Sequence, residues 1–325
     1  MTTDEFKAKI QSLVDLGEGF SANVFFAMKA AGDVVLKKAN IKREVLEEIA
    51  EGYKYTLKAE LTLFENDDQR SVMLLSDRDD RSNVVYRYDL PDDEPSYFSV
   101  MKEPISEPAI DYTADKMFNF DHDTYADIDY FVVHLGTAEN HIVIYRDNFN
   151  VNLMKQSRGR FYLNKSGTQI AKVENDILRM DSQIDCMLID DKYFILNLKN
   201  LDASKEFAAI IKKRANAAVD EIERLDFIGD VASLRGRLGE LSFARRLMTA
   251  MDNSKVTALP ASQVLDFVTN HAKLKKSLKA TEGKFDLSTK TAQNALVKLL
   301  NDDFLHSELT NEDYETSSKN PMRGG

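Results

Sequence analysis

The residues of this chain best suited by type and spacing to do chemistry are Asp185, Asn197 and Lys199. Asp185 stands in the apolar run Ile184 to Ile189, and Asn197 and Lys199 close a second run that follows Asp190, Asp191 and Lys192. A hairpin over Gln183 to Lys199 with a three-residue turn sets Leu188 opposite Phe194, Cys186 opposite Leu196 and Ile184 opposite Leu198, so one face is apolar. The other face carries Asp185 opposite Asn197, with Lys199 two residues further on. Restriction-type nucleases bind Mg²⁺ and activate water with an Asp on one strand and a Glu-x-Lys on its neighbour. Here Asn197 stands where a carboxylate is needed, and a neutral amide is the weaker Mg²⁺ ligand. The preferred reading is a polar, solvent-facing side of a hairpin, and a degenerate Mg²⁺-dependent nuclease is the alternative.

Other chemical motifs fail on context. Gly17-Glu18-Gly19-Phe20-Ser21-Ala22 fits a loose dinucleotide fingerprint, but it follows a helical pattern and precedes a strand pattern, the reverse of the required order. Phosphate-binding loops, His-Glu-x-x-His and nucleophile elbows are missing from the sequence. Asp121, His122, Asp123, Asp127 and Asp129 lack the Gly and distal Glu of a calcium loop and read as a solvated acidic surface. The single cysteine, Cys186, lies in an apolar run and reads as a buried, inert thiol. No metal and no cofactor is expected.

Charge is unevenly distributed. Residues 76–150 carry 6 Lys/Arg against 17 Asp/Glu, whereas residues 151–325 carry 27 against 24. Local patches rather than the total of −11 decide where a polyanion docks, and only the C-terminal half offers one. Its cations are Lys212, Lys213, Arg214, Arg235, Arg237, Arg245 and Arg246, with an arc of Lys275, Lys276 and Lys279, read as lying in reach of few acids. No recognition helix, zinc finger or aromatic stacking signature accompanies them, so DNA binding there is expected to be salt-sensitive and weakly sequence-specific.

The elements that must carry these groups read as α+β: a mixed α/β part with β-hairpins over 1–200, then a helical, basic part with a tail over 201–325. Asp4 to Leu16 has helical spacing. Phe20 to Met28, Tyr53 to Phe64, Ile128 to Leu135 and Ile142 to Phe149 have strand composition, the last two joined by a turn at Gly136 to Asn140. Prolines 91, 95, 104 and 108 predict a long surface loop or edge between Asp89 and Asp129. Phe207 to Leu225 and Val231 to Met248 carry apolar seams. A helix from the cap Ser262 turns Val264, Phe267, His271, Leu274 and Leu278 inward, and another runs from Ser288 to Asp303. The seams suit an intramolecular bundle, and a homodimer is retained as the expected assembly. No apolar run approaches the ~18–20 residues a bilayer requires, and the N-terminus lacks signal-peptide character, so a cytoplasmic location without direct membrane insertion is expected.

Two stretches carry a resemblance. Leu178 to Phe207 holds an Ile-Asp pair, an apolar strand, an acidic turn, Tyr-Phe-Ile-Leu-Asn and a Phe-bearing helix; Leu296 to Lys319 holds Leu-Asn-Asp-Asp-Phe, Ser-Glu-Leu-Thr and a Tyr-containing tail. Both resemble KwaB-like proteins of the Kiwa anti-phage defence system, with the likeness strongest from about residue 120 to Lys319. The resemblance implies DNA binding, a membrane partner that recruits the chain to the inner membrane, and inhibition of phage propagation without a known catalytic reaction. The acidic stretch Asp89 to Asp129 is the expected docking surface for a KwaA-like membrane protein, through Asp92, Asp93, Glu94, Asp121 and Asp123, because cytoplasmic loops of membrane proteins are rich in Lys and Arg. The rival class is an adaptor that touches no nucleic acid.

Overall fold

A computed structural model describes residues 1–17, 19–30, 33–68, 70–75, 83–90, 94–106, 116–148, 152–154, 162–166, 168–173, 175–252, 254–271, 273–307, 309 and 312–315. The chain divides into two compact units, Met1–Met73 with Asn83–Leu201, and Leu74–Ser82 with Asp202–Gly325. The fold class is α+β.

The first unit runs α1 (Thr3–Val14), β1 (Ser21–Ala30), β2 (Asp33–Lys38), α2 (Arg43–Asn66), β3 (Ser71–Leu74), β4 (Val84–Arg87), α3 (Ser96–Ser106), β5 (Ile128–Gly136) and β6 (His141–Asp147). Short pieces follow: β7 (Leu153–Met154), β8 (Leu163–Ser166), β9 (Gln169–Lys172), β10 (Ile177–Leu178), the hairpin β11 (Cys186–Ile189) and β12 (Lys192–Ile195), and α4 (Leu198–Ala203). Eight strands form one sheet in the order β2-β1-β5-β6-β11-β12-β4-β3.

Both faces of this sheet are covered. Phe26, Phe131, Ile144, Met187 and Phe194 pack with Phe6, Ile10, Tyr53 and Leu57 of α1 and α2. The alternate side chains meet α3, where Phe98 stacks on Tyr193 with ring centroids 3.8 Å apart and Tyr97 contacts Tyr145 at 4.7 Å. Strands buried on two faces become continuous apolar runs rather than alternating ones, as in the fully buried Cys186–Ile189. The edges are blunted: Phe118 N–H donates to Lys38 O beside β2, and Val72 N–H donates to Thr3 Oγ1 beside β3.

Three expectations are corrected here. Tyr53 to Phe64 is not a strand but part of the 24-residue α2, whose buried Ala50, Tyr53, Leu57, Leu61 and Phe64 recur every three or four residues. Its aromatic and aliphatic composition hides that period. The proline-interrupted segment contains α3, because Tyr97, Phe98, Val100 and Met101 can be buried against the sheet; residues 107–115, with Pro108, lie outside the described residues. The β11–β12 turn has two residues, Asp190 and Asp191, both left-handed with φ of 45° and 59°, a backbone Asp tolerates. The register therefore slips by one, pairing Leu188 with Tyr193 and Cys186 with Ile195. The β5–β6 turn lies where its composition predicts, and Gly136 is required there: its φ is +113° and a Cβ would lie 2.2 Å from Asn140 O.

The second unit comprises α5 (Lys205–Glu223), α6 (Ala232–Arg237), α7 (Leu241–Asp252), α8 (Ala261–Asn270), α9 (Leu274–Ser277), the pair β13 (Ala280–Thr281) and β14 (Lys284–Phe285), α10 (Lys290–Leu300), and the hairpin β15 (Phe304–Ser307) and β16 (Glu312–Glu315). Ser204 caps α5 by accepting from Phe207 N–H, and the seam Phe207, Ile211, Ala215, Ala218 and Ile222 is buried as its spacing predicts. Phe267, expected inward, is instead 44% exposed while Val268 is buried, and the expected continuous helix ends at Asn270, α9 then burying Leu274. Gly229 is needed where the chain passes β14, since a Cβ there would sit 2.9 Å from Phe285 O.

Candidate functional site

The strongest concentration of chemistry lies at one end of the first unit's sheet. Pairing of β11 with β6 sets Cys186 opposite Tyr145, so Asp185 and Arg146, the next residues, become neighbours. Arg146 is 5% exposed and Asp185 0%. A buried guanidinium demands anionic partners, and Asp181, Gln183 and Asp185, spaced two apart, supply them. Arg146 Nε and Nη2 fork onto Asp181 at 3.0 and 3.2 Å, Nη2 also donates to Gln183 Oε1 at 2.9 Å, and Nη1 donates to both Asp185 oxygens at 3.1 Å. Asp185 accepts further bonds from Asp147 N–H at 2.9 Å and from Asn200 Nδ2 at 2.7 Å. Asn200 is delivered by the first turn of α4, whose amide donates to Asn197 Oδ1.

The segment bearing these acids leans on α2. Tyr53 Oη donates to Asp181 O at 3.4 Å, and Thr56 and Ser182 hydroxyls lie 3.1 Å apart. Beside it is a cleft lined by Val45, Glu48, Ile49, Gly52, Tyr53, Met180, Asp181 and Ser182. Burial acts to raise the Asp181 carboxyl, but hydrogen bonds from Arg146 and Gln183 N–H, with the Arg146 charge, hold it below its usual value. Asp147 goes the other way: burial first, then the neighbouring Asp185 charge, push it up to about 6.

The nuclease-like face is not formed. Asp185 points into the protein and is saturated by Arg146, Asp147 N–H and Asn200, so it is neither solvent-facing nor open to an ion. Asn197 donates its backbone N–H to Asp185 O at 3.1 Å, while Lys199 is exposed on α4. Among the described residues no group of three or more His, Cys, Asp or Glu side chains is placed to hold a metal ion. What the arrangement does chemically is clamp: the guanidinium ties β6 to the 181–185 segment, and Asp185 carries the link on to Asn200 of α4.

The expected DNA-contacting cations fall into different settings. Arg214 pairs with Asp252 at 3.5 Å, and Arg235 with Asp220 and Glu223 at 2.6 and 2.8 Å. Arg237 pairs with Glu240 at 2.9 Å, donates to Asn294 and lies over Phe243. Arg245 is 3% exposed within α7. The expectation that Arg214, Arg235 and Arg237 lie in reach of few acids is thus corrected: helix packing brings Asp252 to Arg214 and Asp220 and Glu223 to Arg235, and Glu240 lies three residues from Arg237. Lys212, Lys213, Lys275, Lys276 and Lys279 are exposed and Arg246 half-buried. Of the expected docking acids, Asp92 and Asp93 lie outside the described residues. Glu94 and Asp121 are exposed. Asp123 is not a surface group: at 7% exposure it binds Lys37 at 2.5 Å and accepts from Asn119 N–H.

These features define an α+β protein with a helical second unit and a saturated ion cluster where a catalytic face was considered. A family model described as Kiwa protein KwaB-like matches residues 125–310, more than half the chain, and the chain belongs to that family. It is also similar to Kiwa protein KwaB of Escherichia coli O55:H7 (strain RM12579), 28% identical over 326 residues that cover 99% of each chain. No solved structure matches it.

Two outcomes test the clamp. Asp185→Ala strands a buried guanidinium and is expected to lower unfolding stability by about 3–5 kcal/mol in urea titrations; a loss below ~1 kcal/mol would show that the cluster does not hold the sheet end. For Asp147, a folded pKa raised from 3.8 to about 6 means that the folded state favours the proton. Its stabilisation is present below pH 3.8 and lost as pH rises through about 6. Asp147→Asn, a mimic of the protonated form, is expected to raise stability at pH 7 by about 1 kcal/mol after allowance for solvent screening, and to give no gain near pH 4. Equal effects at both pH values would remove Asp147 from the titration.

Proposed function

We propose that this protein acts in Kiwa-type anti-phage defence by occupying DNA rather than cutting it, together with a KwaA-like membrane protein that recruits it from the cytoplasm to the inner membrane, and as a homodimer. Family membership supports the defence role. The observation that carries the DNA reading is the set of exposed lysines in the second unit, Lys212, Lys275, Lys276 and Lys279, which enter no described ion pair. Phosphate contacts by such groups position a duplex without reading its sequence. No helix among the described residues is long and apolar enough to cross a membrane, so association with one is assigned to the partner.

Lys212→Glu, Lys275→Glu and Lys276→Glu combined reverse exposed charges without disturbing the core. Gel-shift affinity for a mixed-sequence duplex is expected to fall at least tenfold, with the salt slope shallower by roughly 0.9 for each phosphate that is no longer neutralised. Unchanged affinity would move the DNA surface elsewhere, and Mg²⁺-dependent cleavage would replace occupancy with catalysis.

Membrane docking is tested at Glu94→Gln with Asp121→Asn, leaving Asp123 to its role beside Lys37. With the partner co-expressed, this variant is expected to leave the membrane fraction while its DNA affinity stays unchanged. Full retention would eliminate Glu94 and Asp121 as docking groups.

A further inference from the structure

Near the end of the described chain one carboxylate is held by two lysines from separate elements. Lys273, just before α9, donates to Glu315 Oε2, and Lys298, in the last turn of α10, donates to Glu315 Oε1. The lysines hold the Glu315 carboxyl below its usual range, their hydrogen bonds being the largest cause. Glu315 ends β16 and lies opposite Phe304 of β15, whose ring rests on His271 at 5.1 Å. The next cross-strand pair, Leu305 and Tyr314, is 44% and 48% exposed, whereas Phe304 and Glu315 hold this end of the hairpin through an aromatic contact and an ion pair.

Two ammonium groups converging on one point repel each other unless an anion lies between them. A carboxylate with two acceptor oxygens offers them what the non-bridging oxygens of a phosphodiester offer: the same charge and a similar spread of acceptors. The lysines stay accessible around it, for Lys273 and Lys298 side chains are 67% and 41% exposed against 27% for Glu315. Exposed Lys275 and Lys276 continue the positive surface along α9.

We infer that Lys273 and Lys298 form a phosphate site for the DNA backbone, occupied in the resting chain by Glu315, so that β16 is a strap that DNA displaces. This rests on the DNA-binding reading above. Displacement exchanges one lysine-bound anion for another and frees two further cations to neutralise phosphates.

The test uses the full chain and a fluorescently labelled, mixed-sequence duplex, with affinity measured across a salt series. Glu315→Gln is expected to tighten binding about tenfold at low salt and to leave the salt slope close to the parent's, because the displaced strap already offers both lysines to phosphates in the parent complex. Adding Lys273→Gln and Lys298→Gln to Glu315→Gln is expected to cancel that gain and to make the salt slope shallower than the parent's by roughly 2. Glu221→Gln, on the exposed side of α5, controls for net charge and is expected to change neither; thermal melting confirms that each variant is folded. Parent binding that Glu315→Gln leaves unchanged, or that Glu221→Gln tightens equally, overturns the strap while the DNA reading stands. Absence of binding by the parent and every variant overturns the DNA reading and the strap with it.

Discussion

The first unit depends on the neutralisation of Arg146. A guanidinium at 5% exposure is tolerable only if its donors are met, and Asp181, Gln183 and Asp185 of one short segment meet them, Asp185 in turn accepting from Asn200 in the first turn of α4. Because Asp185 is shared between Arg146, the backbone of Asp147 and Asn200, moving any one of these leaves a buried charge short of partners. The alignment of β11 beside β6 follows from the same constraint. A shift by one residue would turn Asp185 towards the α3 face, away from the Arg146 guanidinium.

The same chemistry accounts for a site that can be mistaken for an active centre. A carboxylate beside an amide and a lysine in sequence suggests an ion and a water, yet the cluster is closed, with its hydrogen-bonding capacity spent internally. The exposed lysines of the second unit and the exposed carboxylates of the first lie apart from this cluster in the sequence.

How much is legible in the sequence follows the strength of local signals. The β5–β6 hairpin and the seams of α5 and α10 are visible because period and turn chemistry agree. The helix α2 is hidden because Tyr53, Tyr55, Leu57, Leu61 and Phe64 suggest a strand by type, and only the three- and four-residue spacing of the buried ones betrays a helix. The β11–β12 register is hidden because Asp190-Asp191 forms a two-residue turn without the glycine that usually marks one. Asp185 stands out in the sequence, but the partner its type suggests lies across the hairpin, whereas its actual partner lies on the other side, in β6. Arg146 at the end of an otherwise apolar strand, with acids at 181 and 185, is the signal that could reveal it. The ion pairs of Arg214 and Arg235 join residues on different helices, which no local pattern encodes.

The pairing of β1 with β5 has a consequence for synthesis. Ser21 lies against Gly136 and Phe26 against Phe131, so the apolar strand Val24 to Met28 leaves the ribosome on the order of a hundred residues ahead of one of its two neighbours. At about 5–20 residues per second, that strand waits on the order of ten seconds with only β2 beside it. During that interval it is a sticky nascent segment, and nascent chains held by a chaperone until residue 136 has emerged would give the greater yield of folded protein.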